Sequence, residues 1–169
     1  PPAILSGLVG SEMCIRDSNS PSGAIERIIY ALLEKAATDS HEGRKPQFPL
    51  WLSPTQVRII PLKEEFNDFC EKLTDKISNN SVRVDIDDRN ESIGKRIREA
   101  EKEWIRYILV IGDKEANSEN LSIRDRQTGA VRELSFDDFV NEIKEQTKEK
   151  PFTGLNFPKH ISKRPNLMV

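Results

Sequence analysis

The chain has 169 residues, 36% of them hydrophobic and 32% charged, with a formal net charge of −2. That length suits one domain of ordinary size with an appendage, and the lack of any run of about 18 apolar residues excludes a membrane-spanning helix. The slightly acidic balance excludes a polycation that coats nucleic acid without regard to sequence, so any nucleic-acid contact must come from a local cluster.

The two cysteines, Cys14 and Cys70, supply neither a disulfide framework nor a zinc set, and they fit a reducing, cytoplasmic setting. Residues 1–20 lack an initiating Met, the basic start of a secretory signal and any clean period. LVGSEMCIRDS, at 8–18, resembles translated sequencing-adaptor read-through, so the leader reads as artefactual or disordered. The abrupt start at SPSGAIER suggests a fragment of a longer protein.

The spacing of Ile25, Ile28, Ile29, Leu32, Leu33 and Ala36 predicts a helix over 24–37. A polar linker, TDSHEGRKPQ, follows. QVRIIPL (56–62) reads as a buried strand. A helix over 63–78 carries Phe66, Phe69, Cys70, Leu73 and Ile77 on one face and stops at Asn79 and Asn80. SVRVDID (81–87) alternates as a strand does. A helix over 92–104 turns Ile93, Ile97, Ala100 and Trp104 inward, and IRYILVIG (105–112) is the most apolar run and a central strand. LSIRDR (121–126) and AVREL (130–134) flank Gln127-Thr128-Gly129 and predict a hairpin. Ser135 caps a last helix with Phe136, Phe139, Val140 and Ile143 inward. From Pro151 the chain is an irregular tail.

Strands joined by helices run parallel through right-handed crossovers, and the hairpin adds antiparallel strands. The expected fold is a three-layer α/β/α domain around a central five-stranded mixed sheet. No Gly-rich loop follows the first strand, and His41 and His160 read as solvated side chains without metal-ligand neighbours. Cys70, on an apolar helix face, reads as a core filler. Asp85, Asp87, Asp88 and Glu91 are interleaved with Arg83, Arg89 and Lys95, in a spacing that matches no ion loop.

The chemistry gathers elsewhere. Asn90 precedes the helix that carries Lys95, Arg96, Arg98 and Lys102, and Arg98 flanks its buried face. Gly112-Asp113-Lys114-Glu115 closes the central strand, and Arg124 and Arg126 share one strand face. An amide matches a base's donor–acceptor pair, a carboxylate accepts from amino groups, and guanidinium bridges base or phosphate. The same set also reads as a solvated, salt-bridged surface.

Residues 21–169 resemble the C-terminal part of the threonyl-tRNA synthetase family, in its archaeal form. The resemblance rests on SGAIERIIYALLE (22–34), FPLWLSPTQVRIIPL (48–62), RVDIDDRNESIGKRIREAEKEW (83–104) and YILVIGDKE (107–115). PFTGLNFPKHISKRP (151–165) adds weaker support. Arg106 stands where the family usually has proline.

The chain thus reads as five segments, the second and fourth being what the resemblance implies. Residues 1–20 are the leader. Residues 21–38 are a remnant of the class II catalytic domain, the third signature motif, whose Arg27 contacts ATP phosphates in the parent enzyme. Residues 39–54 are a linker, 55–150 an anticodon-binding domain and 151–169 the tail. Asn90, Arg98, Glu115 and Arg124 fall on the family's anticodon-reading positions. The implied partner is the anticodon loop of threonine tRNA, with no DNA or membrane partner, in the cytoplasm.

The implied parent is a homodimeric threonine–tRNA ligase using ATP and zinc. The fragment alone holds no cofactor and no catalytic residue, because the other class II motifs and the zinc ligands are absent from it. The tail is expected to pack against the catalytic domain through Phe152, Leu155, Phe157 and Ile161. The alternatives are a related class II synthetase, a non-catalytic paralogue, and a flavodoxin-like small-molecule or protein-interaction module with a crevice at the strand carboxyl ends.

Overall fold

The computed structural model describes residues 24–118 and 120–165. The suspect leader lies outside the described residues. The chain divides into two units between Gly43 and Arg44.

The first unit contains helix α1, Ile25–His41, one turn longer than its apolar period predicts. The Thr38 hydroxyl donates to the Glu34 carbonyl at 3.1 Å and carries the helix through polar residues. Gly43, at φ +78°, ends it, because a left-handed residue without a Cβ is cheap there. Ala36 is buried, whereas Ile25, Ile29, Tyr30 and Leu33 are exposed.

The second unit runs β1 (Val57–Pro61), α2 (Asn67–Ser78), β2 (Val84–Ile86), α3 (Ile93–Lys102), β3 (Tyr107–Ile111), α4 (Asp113–Ala116), β4 (Asn120–Asp125), β5 (Val131–Ser135) and α5 (Phe136–Thr147). The sheet order is β2-β1-β3-β4-β5. The first three strands are parallel, and β4 and β5 are antiparallel. The expected five-stranded mixed sheet between helical layers is present. Helix α4 is additional, being a single turn too short to have a period.

Strand alternation sorts the core into two faces. Val57 and Ile59, Val84 and Ile86, Tyr107, Leu109 and Ile111, and Leu121 and Ile123 meet Cys70, Leu73 and Ile77 of α2 and Phe139 and Ile143 of α5. Burial in this core pushes the Cys70 thiol up to about 12, as suits a filler rather than a nucleophile. On the opposite face the apolar cluster is small: Ile60, Ile105 and Ile108 with Ala100 and Ile97 of α3.

Helix α3 ends earlier than expected. Trp104 takes φ 60°, and the Ile105 amide closes back on the Ala100 carbonyl at 3.1 Å. The indole therefore leaves the helix face and meets Phe48, ring centroids 5.1 Å apart. Arg106 donates to Gln47 at 2.7 Å and lies 3.3 Å from the Asp125 carboxylate.

Beside the small cluster the same face is filled by charge. Arg58 and Asp85 are directly opposed in the β1–β2 register. Both are fully buried, joined by Nε–Oδ1 and Nη2–Oδ2 bonds of 2.9 Å each. Arg58 also reaches Glu103 at 2.7 Å. Burial works against the guanidinium charge, but Asp85 and Glu103 outweigh it and raise the pKa. Asp85, one of the carboxylates that interleave with arginines in the sequence, is thus a structural counter-ion.

Removing Asp85 leaves a buried cation uncompensated. Asp85→Ala is expected to cost about 3–5 kcal/mol in urea unfolding. Glu103→Ala, at a side chain half exposed, is expected to cost clearly less. Equal costs would contradict the assignment of the pair as the main counter-charge.

Candidate nucleic-acid interface

Helix α3 covers β1 and the nearer side of β3, and the β4–β5 half of that face stays open. Pairing places Ser122 opposite Glu133, and Arg124 between Ile108 and Val131, so Ser122, Arg124, Val131 and Glu133 point to the open side. Val131 is 61% exposed there, an unusual position for a β-branched residue in a strand.

The edge of α3 borders this floor. Gly94, Arg98 and Glu101 stand at i, i+4 and i+7, along one stripe of the helix. Gly94 has nothing within 4 Å of where a Cβ would sit, so the stripe opens at its amino end. The Glu101 carboxylate accepts from Arg124 Nε at 3.1 Å, tying helix to strand. Arg98, one turn earlier, is exposed and has no side-chain partner among the described residues. Arg126, on the same strand face, is spent on structure: it donates to the Glu101 and Pro46 carbonyls. Arg96 is likewise buried, donating to the Asp87 carbonyl at 2.9 Å.

Glu115 forms the rim. Its Oε2 accepts from the Gly112 amide at 3.1 Å, and its Oε1 accepts from the Ser122 hydroxyl at 2.7 Å. Burial disfavours its charge, but the Ser122 hydroxyl, the nearby amides and Lys114 hold the carboxyl below the usual glutamate range. A carboxylate thus stands ionised and fixed at the border of an open sheet face. Neighbouring Lys114 is anchored to Glu133 at 2.8 Å.

Asn90 lies at the carboxyl ends of the parallel strands, in the loop that leads into α3. It lines a cleft of about 470 Å³ with Pro61, Leu62, Lys63, Ser92 and Arg96. Its side chain is exposed and makes no hydrogen bond among the described residues. The structure therefore brings Arg98, Glu115 and Arg124 around one open face, with Asn90 at the near end of the same helix. Arg27 lies on exposed α1 in the other unit.

Sequence reasoning missed Ser122 and Glu101, which hold Glu115 and Arg124; only the β3–β4 register and the helix stripe reveal them. It also misread His160. The imidazole is 15% exposed, with Nε2 3.1 Å from Glu71 and Nδ1 3.2 Å from Asp88, because the tail folds back onto β2. Among the described residues no group of three or more His, Cys, Asp or Glu is arranged to hold a metal ion.

An amide, a fixed carboxylate and two guanidinium groups thus stand on one face and end of a mixed sheet. The chain belongs to the anticodon-binding domain family, whose profile matches residues 56–146. It is 81% identical over 151 residues to the threonine–tRNA ligase of Nitrosopumilus maritimus, covering 89% of this chain and 24% of that protein. It is 60% identical to the threonine–tRNA ligase of Cenarchaeum symbiosum, covering 89% of this chain and 25% of that protein. The chain spans about a quarter of the length of these curated relatives.

Among solved structures, the RNA-binding domain of threonyl-tRNA synthetase from Cryptosporidium parvum superposes with a TM-score of 0.56 at 25% identity, covering 64% of this chain and 26% of that one. A histidyl-tRNA synthetase from a Nostoc species shares the fold, with a TM-score of 0.55 at 24% identity over 73% of this chain and 28% of that one.

The Glu115 clamp has a measurable consequence. In a pH titration followed by NMR, Glu115 is expected to titrate below its ordinary value of 4.5, and Ser122→Ala is expected to move it back up. The sign for stability follows: a depressed folded pKa stabilises above the unfolded pKa and is lost as pH falls through the folded one. A Glu115 midpoint unchanged by Ser122→Ala would contradict the clamp.

Proposed function

We propose that this chain is the anticodon-reading part of a threonine–tRNA ligase. It holds the anticodon loop of threonine tRNA so that the parent enzyme, using ATP, transfers threonine to the tRNA's terminal adenosine. The observation that carries this reading is the open β4–β5 face, rimmed by Glu115, Arg98 and Arg124, in a chain of the anticodon-binding domain family. High identity to the two ligases supports threonine as the amino acid concerned.

Threonine anticodons end in guanine then uracil. Guanine offers two adjacent N–H donors on its Watson–Crick edge, which the ionised Glu115 carboxylate accepts. Uracil offers a donor beside an acceptor, which the Asn90 amide matches. Arg98, without a side-chain partner among the described residues, bridges base or phosphate. Arg124 does the same after exchanging Glu101, a partner about one-third exposed whose pairing solvent already weakens. With a net charge of −2, binding depends on this local cluster and is modest and salt-sensitive.

The remaining parts follow the same reading. Residues 55–150 are the anticodon-binding domain and 21–38 a piece of the catalytic domain; of the connecting residues 39–54, those up to His41 continue α1 and those from Arg44 on belong to the second unit. Arg27 supplies a delocalised cation to ATP phosphates in the parent. Exposed on α1, it is one contact of such a site, whose other groups would come from the rest of the parent. Zinc belongs to the parent's threonine-selecting site rather than to this chain's described residues. The parent acts in the cytoplasm as a homodimer, and this chain alone does not activate threonine.

Binding of the chain to threonine tRNA, and to the same tRNA changed at either of its last two anticodon bases, tests the reading. Each change is expected to cost roughly 1–3 kcal/mol. Glu115→Gln is expected to erase discrimination at the guanine, and Arg98→Ala to weaken binding to every variant. Equal binding to all three tRNAs would overturn the proposal.

A further inference from the structure

The tail from Pro158 to Arg164 is built into the anticodon-binding unit. The Ile86 amide donates to the Lys159 carbonyl at 2.9 Å, and Ile86 and His160 form a parallel bridge at the free edge of β2. Lys159 pairs with Asp75 at 2.9 Å, and Arg164 with the buried Asp85 at 2.8 Å. The polar chemistry of this part of the tail is spent on β2 and its neighbours. Phe152 and Phe157 stay about half exposed, the latter under the Arg164 guanidinium at 5.6 Å.

The attachment meets the loop between β2 and α3 at one residue. The Asp88 carboxylate accepts from the Ser162 amide at 3.0 Å and from the Ser162 hydroxyl at 2.6 Å, one bond on each oxygen. The His160 ring packs beside it. Asp87, its neighbour in sequence, points the opposite way. Its buried carboxylate takes Arg89 Nε at 2.9 Å and Nη2 at 2.7 Å, and its carbonyl takes Arg96. The loop is thus gripped inward at Asp87 and outward at Asp88. Asn90, two residues on, displays an exposed side chain that makes no hydrogen bond among the described residues.

We propose that the tail is a positioning element of the anticodon interface: Asp88, anchored by Ser162, fixes the loop that presents Asn90. A reader whose own amide is free but whose backbone is held on both sides loses little freedom on binding, and it meets a base in one register. Short bonds from a hydroxyl and an amide to a carboxylate are among the stronger neutral-donor contacts. The inference rests on the reading of Asn90 as a base-contacting residue, and its effect is specific to the base that Asn90 faces.

The test uses the full chain and RNA hairpins carrying the threonine anticodon loop, unchanged or altered at its last or its middle base. Asn90→Ala is expected to reduce last-base discrimination by at least about fivefold, the loss of one direct contact. Asp88→Ala is expected to reduce the same discrimination, by roughly tenfold at most, since misplacing a preorganised group is costly. Middle-base discrimination stays intact in both variants. Ser162→Ala, which keeps the amide bond, gives a smaller loss in the same direction, and Asp88→Asn, which keeps an acceptor, restores much of it.

Last-base discrimination unchanged in Asp88→Ala but lost in Asn90→Ala would overturn the positioning role alone. An equal loss at both bases would mean general loosening, and would also overturn it. Discrimination unaffected by Asn90→Ala, or no binding of any hairpin, would overturn the reading on which the inference rests.

Discussion

One helix of ten residues is asked to cover one face of a five-stranded sheet. Five strands span about 19 Å between outer axes, whereas a helix with its side chains is about 10–12 Å across. On the other face α2 and α5 share the task, and the apolar core lies there. On the α3 face half of the sheet must be finished by other means. The β1–β2 side is finished with buried charge: Arg58 against Asp85, with Glu103 and Arg164 around them. The β4–β5 side is left open. The candidate interface is the part of the sheet that none of this unit's described helices covers.

This division accounts for the polar composition of the strands. A buried ion pair is a poor source of net stability, because desolvation consumes most of the attraction. The carboxylate of Asp85 nevertheless gives β1 and β2 a specific register, residue 58 against 85, and receives the tail through Arg164. The open side uses the same residue types differently. Glu101 and Ser122 hold Arg124 and Glu115 in place while leaving part of each side chain toward solvent. Asn90 and Arg98 have no such partner among the described residues and stay available. One side spends its charges on the fold and the other displays them.

Much of the fold was legible in the sequence because its signals are strong ones. The apolar runs of β1 and β3 and the periodic faces of α2, α3 and α5 stand out against a charged background. The hairpin turn is announced by Gly129, which takes φ 72° between β4 and β5. The misses have physical reasons. Helix α4 is one turn long, and the last turn of α1 is polar, so neither carries an apolar period. Trp104 adopts a left-handed backbone that its residue type disfavours, and so leaves the face where spacing puts it. In the candidate site, Asn90, Arg98, Glu115 and Arg124 stand out as residue types, and their resemblance to a family's reading positions sharpened the choice. Ser122 and Glu101 did not stand out, since their value lies in partners set by register. His160 looked solvated because nothing local shows that a tail returns to β2.

The most direct measurement is chemical-shift mapping of the chain with an RNA hairpin carrying the threonine anticodon loop. The account predicts perturbations at Asn90, Arg98, Glu115, Ser122 and Arg124, with the outer surfaces of α2 and α5 unaffected. Perturbations confined to α2 and α5, or to α1, would contradict it.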